Sequence, residues 1–487
     1  MTMRNPIKAF TEFYASRSAD NMFRLDGAVP IGKSIPFGIQ HVLAMFVANI
    51  APILICFAAC NASDVATSNG IRSAILMASL GTIIQLLPIW RVGSKLPIFV
   101  GCSFTFLGVL TVIGSNYGLG TMFVSIIIGG LLLGILGLFA DKWTKVIKPI
   151  VSAIVVLALG LSLLSVGIND FLSISDRSLG LVNAEGVYQF DIAWPYLIVA
   201  FVTLITCLLW QIFVKGVWKN VSILAGLVVG YIVSLCFIPY NNMVDFSAFC
   251  FSRVTDFIDV PRPYFTVVEA SWSDFNIGAI LTVMLIYVVN VTENLGGVSS
   301  LTSSALDRDS TGKEISGCIS GVGFASAFAG FFGSMPLAVY SQNVGIVSQS
   351  KVTNRFAILT GPILLFIISF FPPITSLLMT IPKAVLGGIM LMLFASIAII
   401  GMQMIAKLGF GKKNIIILSI SIGLGYGITL VESFTSATFD AEILNDLMII
   451  LKNPVANMFL LSFLLSYLIP DSIDHEDHPA KQEPNEK

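Results

Sequence analysis

One carboxylate and two neighbouring amides are the side chains best suited to recognise a ligand in this sequence. Glu293 lies in the stretch 286–294, after an otherwise apolar segment. A carboxylate at bilayer depth costs roughly 2.5–3.5 kcal/mol on insertion scales and therefore marks a functional site. The non-functional alternative is a carboxylate that lies near a helix end and extends to the membrane surface. Gln342 and Asn343 lie where a later apolar segment breaks. Because amides both donate and accept hydrogen bonds, this set suits a neutral planar ligand with alternating N–H and C=O groups, although a sugar could also use the amides.

His41 is the only histidine outside the C-terminal tail. A lone buried histidine more often holds a neighbouring group than binds a ligand, so we expect it to fix the site's geometry, with direct proton transfer left open. The sequence has no cluster of carboxylates or histidines and no metal-like cysteine spacing, so we predict no metal site. An enzyme needs a nucleophile–base pair or a metal cluster. We therefore predict no catalytic residue and no cofactor.

These polar residues must be held by elements that lie in a bilayer. The chain has 487 residues, of which 56% are apolar and 11% charged, and its mean hydropathy is +0.89. Soluble domains are about 25% charged. Because this chain is far less charged and strongly apolar, we predict an all-α polytopic membrane protein. The net charge of −1 also makes nucleic acid an unsuitable partner.

The apolar runs predict fourteen transmembrane spans, most of them near the ~20 residues that cross the bilayer core. We read no signal peptide in the first 35 residues, and the tail at 470–487 is polar enough to be disordered. Most Lys and Arg fall in the loops that face inward if the N-terminus is cytoplasmic, which predicts that both termini are cytoplasmic at the cell membrane. The predicted spans are 36–60, 70–90, 97–114, 119–140, 147–168, 192–213, 218–238, 275–298, 315–333, 337–350, 356–372, 382–405, 413–431 and 454–469.

Seven plus seven spans predict an inverted repeat, the arrangement in which transporters build a midplane site from broken helices. The third and tenth spans are short, and each has a proline followed six residues later by a polar residue: Pro97 with Ser103, and Pro336 with Gln342. Proline followed by β-branched residues favours an extended stretch. We expect two facing extended stretches, with helices that start near Ser103 and Gln342 and point their N-termini at a cavity. The alternative is two kinks with no site.

Four groups of residues resemble the nucleobase–ascorbate transporters, also called the nucleobase:cation symporter-2 or xanthine/uracil permease family. The resemblance covers nearly all of residues 24–470 and is most like bacterial xanthine and urate permeases. The groups are Gln40-His41 with Leu43-Ala44-Met45-Phe46, Gly101-Cys102-Ser103-Phe104, Glu293, and Gln342-Asn343-Val344-Gly345 through Arg355.

The resemblance implies a core domain that moves against a gate domain, with the base between them, and a homodimer. Glu293 would bind ring N–H groups and Gln342 the opposite edge of the base. Phe104, Tyr340, Ser103, Ser341 and Ala48 would line the pocket, and His41 and Asn343 would hold its geometry or assist proton coupling. The implied organisation is an N-terminal segment 1–35, core halves 36–140 and 275–372, gate halves 147–238 and 382–469, and the tail 470–487.

The resemblance also favours one class of base. Members with glutamine at the position of Gln342 are typically purine-type, so we favour import of xanthine or urate, by symport with a proton or another cation, over uracil. Three departures bear on this. Val322 stands where many members have aspartate, so proton coupling either rests on Glu293 or is absent. Ser350 replaces a threonine, and Gly297 stands where some uracil members have histidine.

Other readings stay open at this stage. An anion exchanger of the related sulfate-permease type would share the inverted fold, but it predicts no carboxylate near the site. A membrane-embedded enzyme lacks convincing catalytic groups. A passive channel is harder to exclude, because selectivity residues do not reveal coupling. The segment 241–274 has no role that the sequence assigns.

Overall fold

The computed structural model describes residues 18–174, 179–183, 187–237, 244, 257–268, 271, 274–431, 451–470 and 473. Several predictions fall partly or wholly outside these residues: the first half of the N-terminal segment 1–35, most of the segment 241–274, and nearly all of the tail 470–487.

The described chain is built almost wholly from helices. The α-helices and strands are, in chain order, α1 (Ile31–Ala59), α2 (Asp64–Leu86), β1 (Val100–Cys102), α3 (Leu107–Gly137), α4 (Ala140–Trp143), α5 (Pro149–Phe171), α6 (Phe190–Phe213), α7 (Ser222–Cys236), α8 (Ile277–Ala305), α9 (Gly312–Phe331), β2 (Leu337–Val339), α10 (Ser341–Ser350), α11 (Arg355–Ile358), α12 (Thr360–Ile368), α13 (Pro372–Met379), α14 (Lys383–Leu408), α15 (Lys412–Ile420) and α16 (Pro454–Leu468). Short 3₁₀ turns cover Ala19–Phe23, Phe104–Phe106, Thr144–Val146, Gly216–Val221, Tyr264–Thr266 and Gly427–Leu430, and a π turn covers Ser421–Tyr426.

Eight helical stretches of the described residues are long and apolar enough to cross a membrane. A ninth is added if Arg355–Ile368 and Pro372–Met379, which meet at an angle of 82°, form one bent span. The chain is therefore a multi-pass membrane protein, and the count of fourteen stays a prediction. The eight stretches are α1, Phe104–Gly137, α5, α6, α8, α9, α14 and Lys412–Leu430.

The helix bounds differ from the predicted spans in ways that have physical causes. The first helix begins at Ile31 and includes Pro36, because neighbouring helices in a membrane protein compensate for the backbone bond that proline loses. The second predicted span corresponds to α2, which is not among the eight because it is rich in small polar residues. α3 is interrupted at Gly118, where φ is 89° and ψ is 164°. That break falls between the predicted third and fourth spans.

β1 and β2 form a two-stranded antiparallel sheet, in which Val100 pairs with Val339 and Cys102 with Leu337. All six strand residues are buried. The predicted extended stretches in the third and tenth spans are therefore confirmed. The sheet extends beyond the strands, since Ser103 N donates to Pro336 O at 2.8 Å and Tyr340 N donates to Phe99 O at 3.0 Å.

Two helix pairs pack closely enough to exclude a side chain at their crossing. A Cβ at Gly160 of α5 would lie 2.2 Å from the Ala398 nitrogen of α14. A Cβ at Gly323 of α9 would lie 2.3 Å from the Gly134 nitrogen of α3. Small residues permit this close approach between membrane helices. The small residues therefore fix how closely α5 packs on α14 and α3 on α9.

Candidate functional site

Glu293 lies well inside α8 rather than at a helix end, so it is not a snorkelling carboxylate. Its Oε2 atom accepts hydrogen bonds from Thr105 Oγ1 at 2.7 Å and from Ser103 Oγ at 3.1 Å. Asn290 Nδ2, one turn earlier on α8, donates a third bond at 3.2 Å. Within the described residues Oε1 receives no hydrogen bond, which leaves it available to a ligand.

The chain after β1 turns so that its polar groups converge on this carboxylate. Ser103 caps the 3₁₀ turn Phe104–Phe106, and its hydroxyl accepts a bond from Thr105 N at 3.3 Å. The same hydroxyl accepts a bond from Asn290 Nδ2 at 3.3 Å. Ser103 therefore has a fixed orientation, since it both receives these bonds and donates to Glu293.

The chain after β2 presents its side chains differently. α10 starts at Ser341, and the half-buried Gln342 side chain has no hydrogen bond within the described residues. Tyr340 Oη donates to Cys102 O at 2.8 Å. This bond connects the second break, which is the interruption of helical structure at β2, to the first break, which is the interruption at β1. Asn343 points the other way, and its Nδ2 donates to His41 Nδ1 at 3.0 Å and to His41 O at 3.1 Å.

Polar side chains from four helices hold the two strands in matching ways. Cys102 N donates to Asn49 Oδ1 at 2.8 Å, and Val339 N donates to Asn294 Oδ1 at 2.9 Å. Val100 N donates to Thr82 Oγ1 at 3.1 Å, and Leu337 N donates to Ser326 Oγ at 2.9 Å. The last residue of each strand is thus held by an asparagine and the first by a hydroxyl.

The hydrogen bonds that hold the strands imply one alignment of the two breaks, and the positions of the prolines imply another. Pro97 lies three residues before β1 and Pro336 lies one residue before β2, so the predicted pairing of Ser103 with Gln342 is wrong by two residues. Counted from the strand ends, Thr105 and Gln342 correspond to each other. The register is set by the groups that bond to the strands, not by the position of the proline.

A cavity of about 280 Å³ lies beside the two breaks. His41 and Asn343 lie behind it and do not line it. Glu293 is the only charged side chain in the lining that the structure describes. The structure therefore brings together all seven residues that the sequence predicts as substrate-binding, namely Ala48, Ser103, Phe104, Glu293, Tyr340, Ser341 and Gln342.

Sequence reasoning missed several residues at this site. Thr105 gives Glu293 its shortest hydrogen bond, and the available signal was its place two residues after Ser103 at the start of a helix. Asn290 could have been found because it lies three residues before Glu293, on the same helix face. The wall supplied by α5 and α14, which includes Gln403, carried no motif. Val322, the site of a departure from the family pattern, is fully buried and does not line the cavity.

The lining has the character of a small organic-ligand site. It combines apolar walls with one carboxylate, amides and hydroxyls, as ligand cavities commonly do. No group of three or more histidine, cysteine, aspartate or glutamate side chains that could hold a metal occurs in the described part of the chain. Its volume is near the lower end of the roughly 300–1,000 Å³ typical of ligand pockets, which suits a small planar molecule.

Comparison with solved structures first shows which known fold this chain shares. The murine Solute Carrier 26 family member A9 anion transporter, solved in its inward-facing state, matches 96% of this chain and 73% of that chain with a TM-score of 0.59 and 13% identity. At this identity the likeness shows the fold alone.

Sequence comparison then defines the family. Residues 32–434 match the family described as "Permease family" (Xan_ur_permease). The xanthine permease XanQ of Escherichia coli K12 is 30% identical over 477 residues, covering 94% of this chain and 96% of XanQ. The uric acid permease PucK of Bacillus subtilis is 29% identical over 423 residues, covering 84% and 90%. The chain belongs to the xanthine/uracil permease family.

Proposed function

We propose that this chain is a secondary active transporter that imports an oxopurine base, xanthine or urate, across the cell membrane. The observation that carries the proposal is the Glu293 carboxylate. Three hydrogen bonds fix its Oε2 atom, and its Oε1 atom is left for a ligand in a cavity that also contains the unpaired Gln342 amide. Relatives named as xanthine and uric acid permeases support the choice of base.

An asymmetry between the two breaks supports the role of Gln342. Ala48 immediately precedes Asn49, and Glu293 immediately precedes Asn294, the two asparagines that hold the strands. Thr105 corresponds to Gln342 and bonds to Glu293. The matching partner of Gln342 would be Ala48, whose methyl group offers no hydrogen bond, so the amide stays free for the base. An amide can donate to a purine carbonyl, whereas a second carboxylate would demand more N–H groups from the ligand.

The same correspondence supports the predicted fourteen-span inverted repeat. Two strands of equal length, each held by an asparagine and a hydroxyl in the same order, are what two related halves of opposite topology would produce. In this proposal α1 to α3 and α8 to α12 form the core domain, and α5 to α7 and α14 to α16 form the gate domain. The base lies between them, and both termini are cytoplasmic.

Coupling to a proton is the final part of the proposal. Glu293 is the only charged side chain in the described lining, and Val322 supplies no second acid. Transport then exposes one carboxylate to each side of the membrane in turn as the core moves against the gate. Proton binding at Glu293 would accompany each base.

The test is uptake of labelled xanthine into proteoliposomes, with and without an inward proton gradient, in competition with urate, guanine and uracil. Gradient-driven uptake that oxopurines block and uracil does not block is the expected result. Uptake that ignores the gradient would contradict proton symport and indicate a facilitator or another ion. Uracil uptake without xanthine uptake would show that Gln342 does not decide the base.

A further inference from the structure

The wall of the cavity that faces Glu293 and Gln342 comes from α5 and α14 and is apolar except at one position. Within the described lining, Gln403 is the single side chain of this wall with hydrogen-bonding groups. The wall consists of Val155, Val156, Leu159, Ile397, Ile400, Gln403 and Met404.

Gln403 lines the same cavity as the Glu293 carboxylate. A Cβ at Gly296 would lie 3.3 Å from Met404 Cε, so Met404, the chain neighbour of Gln403, reaches the helical turn that follows Glu293. The far end of the lining is marked by Ser304 and Ser348, whose hydroxyls are 2.5 Å apart. The Gln403 side chain is exposed and makes no hydrogen bond within the described residues.

An apolar wall is poorly suited to one edge of an oxopurine. The ring carries N–H, C=O and ring-nitrogen groups on several edges, and Glu293 and Gln342 can satisfy only the edges that face them. A polar group that loses water without gaining a partner weakens binding. A glutamine amide can pair with either kind of group, since it has both a donor and an acceptor.

We propose that Gln403 is a specificity-determining residue whose amide hydrogen-bonds the edge of the bound oxopurine that points away from Glu293 and Gln342. This inference rests on the proposed function and adds a contact from the opposite wall. It makes base selection depend on both walls of the cavity, so that a base is recognised fully only when the walls close on it.

The experiment measures inhibition constants against labelled xanthine uptake in proteoliposomes for the wild type, Gln403→Ala and the control Met402→Ala. Met402 is the adjacent residue, 51% exposed and outside the cavity lining. The ligands are xanthine, urate, hypoxanthine and the 1-, 3-, 7-, 8- and 9-methylxanthines. Each methyl group blocks one ring position. Combining each methylated ligand with each protein variant gives a double-mutant cycle, which isolates the contact between Gln403 and one ring position.

We expect Gln403→Ala to weaken xanthine binding on the order of tenfold, the equivalent of about one hydrogen bond. Methylation at one ring position should weaken binding to the wild type but should not weaken binding to Gln403→Ala any further. The analogue methylated there should therefore bind both proteins equally. Analogues methylated at other positions should lose as much affinity for Gln403→Ala as for the wild type. Met402→Ala should reproduce the wild-type profile.

Two kinds of result would overturn the inference. If the wild type takes up xanthine and Gln403→Ala keeps the same profile of inhibition constants, or changes only the maximal rate, the inference fails alone. If the wild type takes up no oxopurine, the proposed function fails and this inference fails with it.

Discussion

The Thr105 hydroxyl donates a hydrogen bond of 2.7 Å to Oε2 of Glu293, the shortest that this carboxylate receives. Thr105 follows β1 and Glu293 lies on α8, so the bond joins the first break in the chain to a helix far along the sequence. With Ser103 and Asn290 it holds the carboxylate in one orientation before a ligand arrives. Pre-organisation of this kind reduces the cost of binding.

Thr105→Val should weaken uptake while leaving the fold intact, because valine has nearly the same shape as threonine but cannot donate to Glu293. Hydrogen bonds to charged groups contribute about 1.5–3 kcal/mol, so we expect the KM for xanthine to rise at least tenfold. The measurement is concentration-dependent uptake in proteoliposomes. Thr302→Val is a matched control, since the Thr302 hydroxyl bonds only to carbonyls of its own helix. Equal KM values in the two variants would contradict the positioning role.

Glu293→Gln should abolish uptake without loss of the protein from the membrane. The amide keeps the shape of the side chain, but it removes the charge, and with it the group proposed to bind both ring N–H and the proton. Uptake by intact cells, normalised to the amount of protein in the membrane fraction, is the measurement. Asp309→Asn, an exposed change outside the cavity, should keep wild-type uptake. Wild-type transport by Glu293→Gln would eliminate the proposed site.

Gly297→Ala should destabilise the second break. A Cβ at this position would lie 2.5 Å from Val339 Cγ1, so Val339 of β2 must move, and overpacking of this kind costs about 1–3 kcal/mol. We expect a lower melting temperature in detergent and reduced uptake. Gly296→Ala is the matched control, because its nearest contact is the flexible end of Met404 at 3.3 Å, and it should be tolerated.

Val339→Ala provides a rescue for that variant. Removing the two methyl groups of Val339 makes room for the new Cβ, so the double variant should melt at a higher temperature than Gly297→Ala alone. A double variant that is as unstable as the sum of its two single changes would show that steric pressure on β2 is not the cause.

The grouping of the candidate site residues around one cavity was predictable from sequence because the rarest features of these residues are chemical. A carboxylate at Glu293 and amides at Gln342 and Asn343 are costly inside a membrane, and they stand out against an apolar chain. The extended stretches were also predictable, since proline and β-branched residues act locally. Both predictions depend on residue type and on neighbours in the sequence alone.

What the sequence could not supply is the set of long-range contacts. The alignment of the two breaks depends on Asn49, Asn294, Thr82 and Ser326, which are common residue types in distant helices, and so the proline pattern gave a register wrong by two residues. Thr105 looked like any other threonine until the fold brought it to Glu293. Gln403 belongs to the opposite wall, where only the packing of α14 determines which face meets the cavity.

His41 and Asn343 should act as one unit behind the cavity. Asn343 Nδ2 donates to both Nδ1 and the carbonyl of His41, and the imidazole stacks on Phe99 with ring centroids 4.6 Å apart. Because Phe99 directly precedes β1 and Asn343 lies in α10, the pair connects the two breaks. Residues in one hydrogen-bonded network show coupling energies of about 0.5–3 kcal/mol.

A double-mutant cycle tests that unit. His41→Ala and Asn343→Ala should each raise the KM for xanthine several-fold, and the double variant should be no worse than the more severe single variant. His41→Ala should also keep uptake that responds to the proton gradient, since a residue that only positions its neighbours does not carry the proton. Additive losses would contradict the coupling, and loss of the gradient response in His41→Ala with binding unchanged would assign proton transfer to the histidine instead.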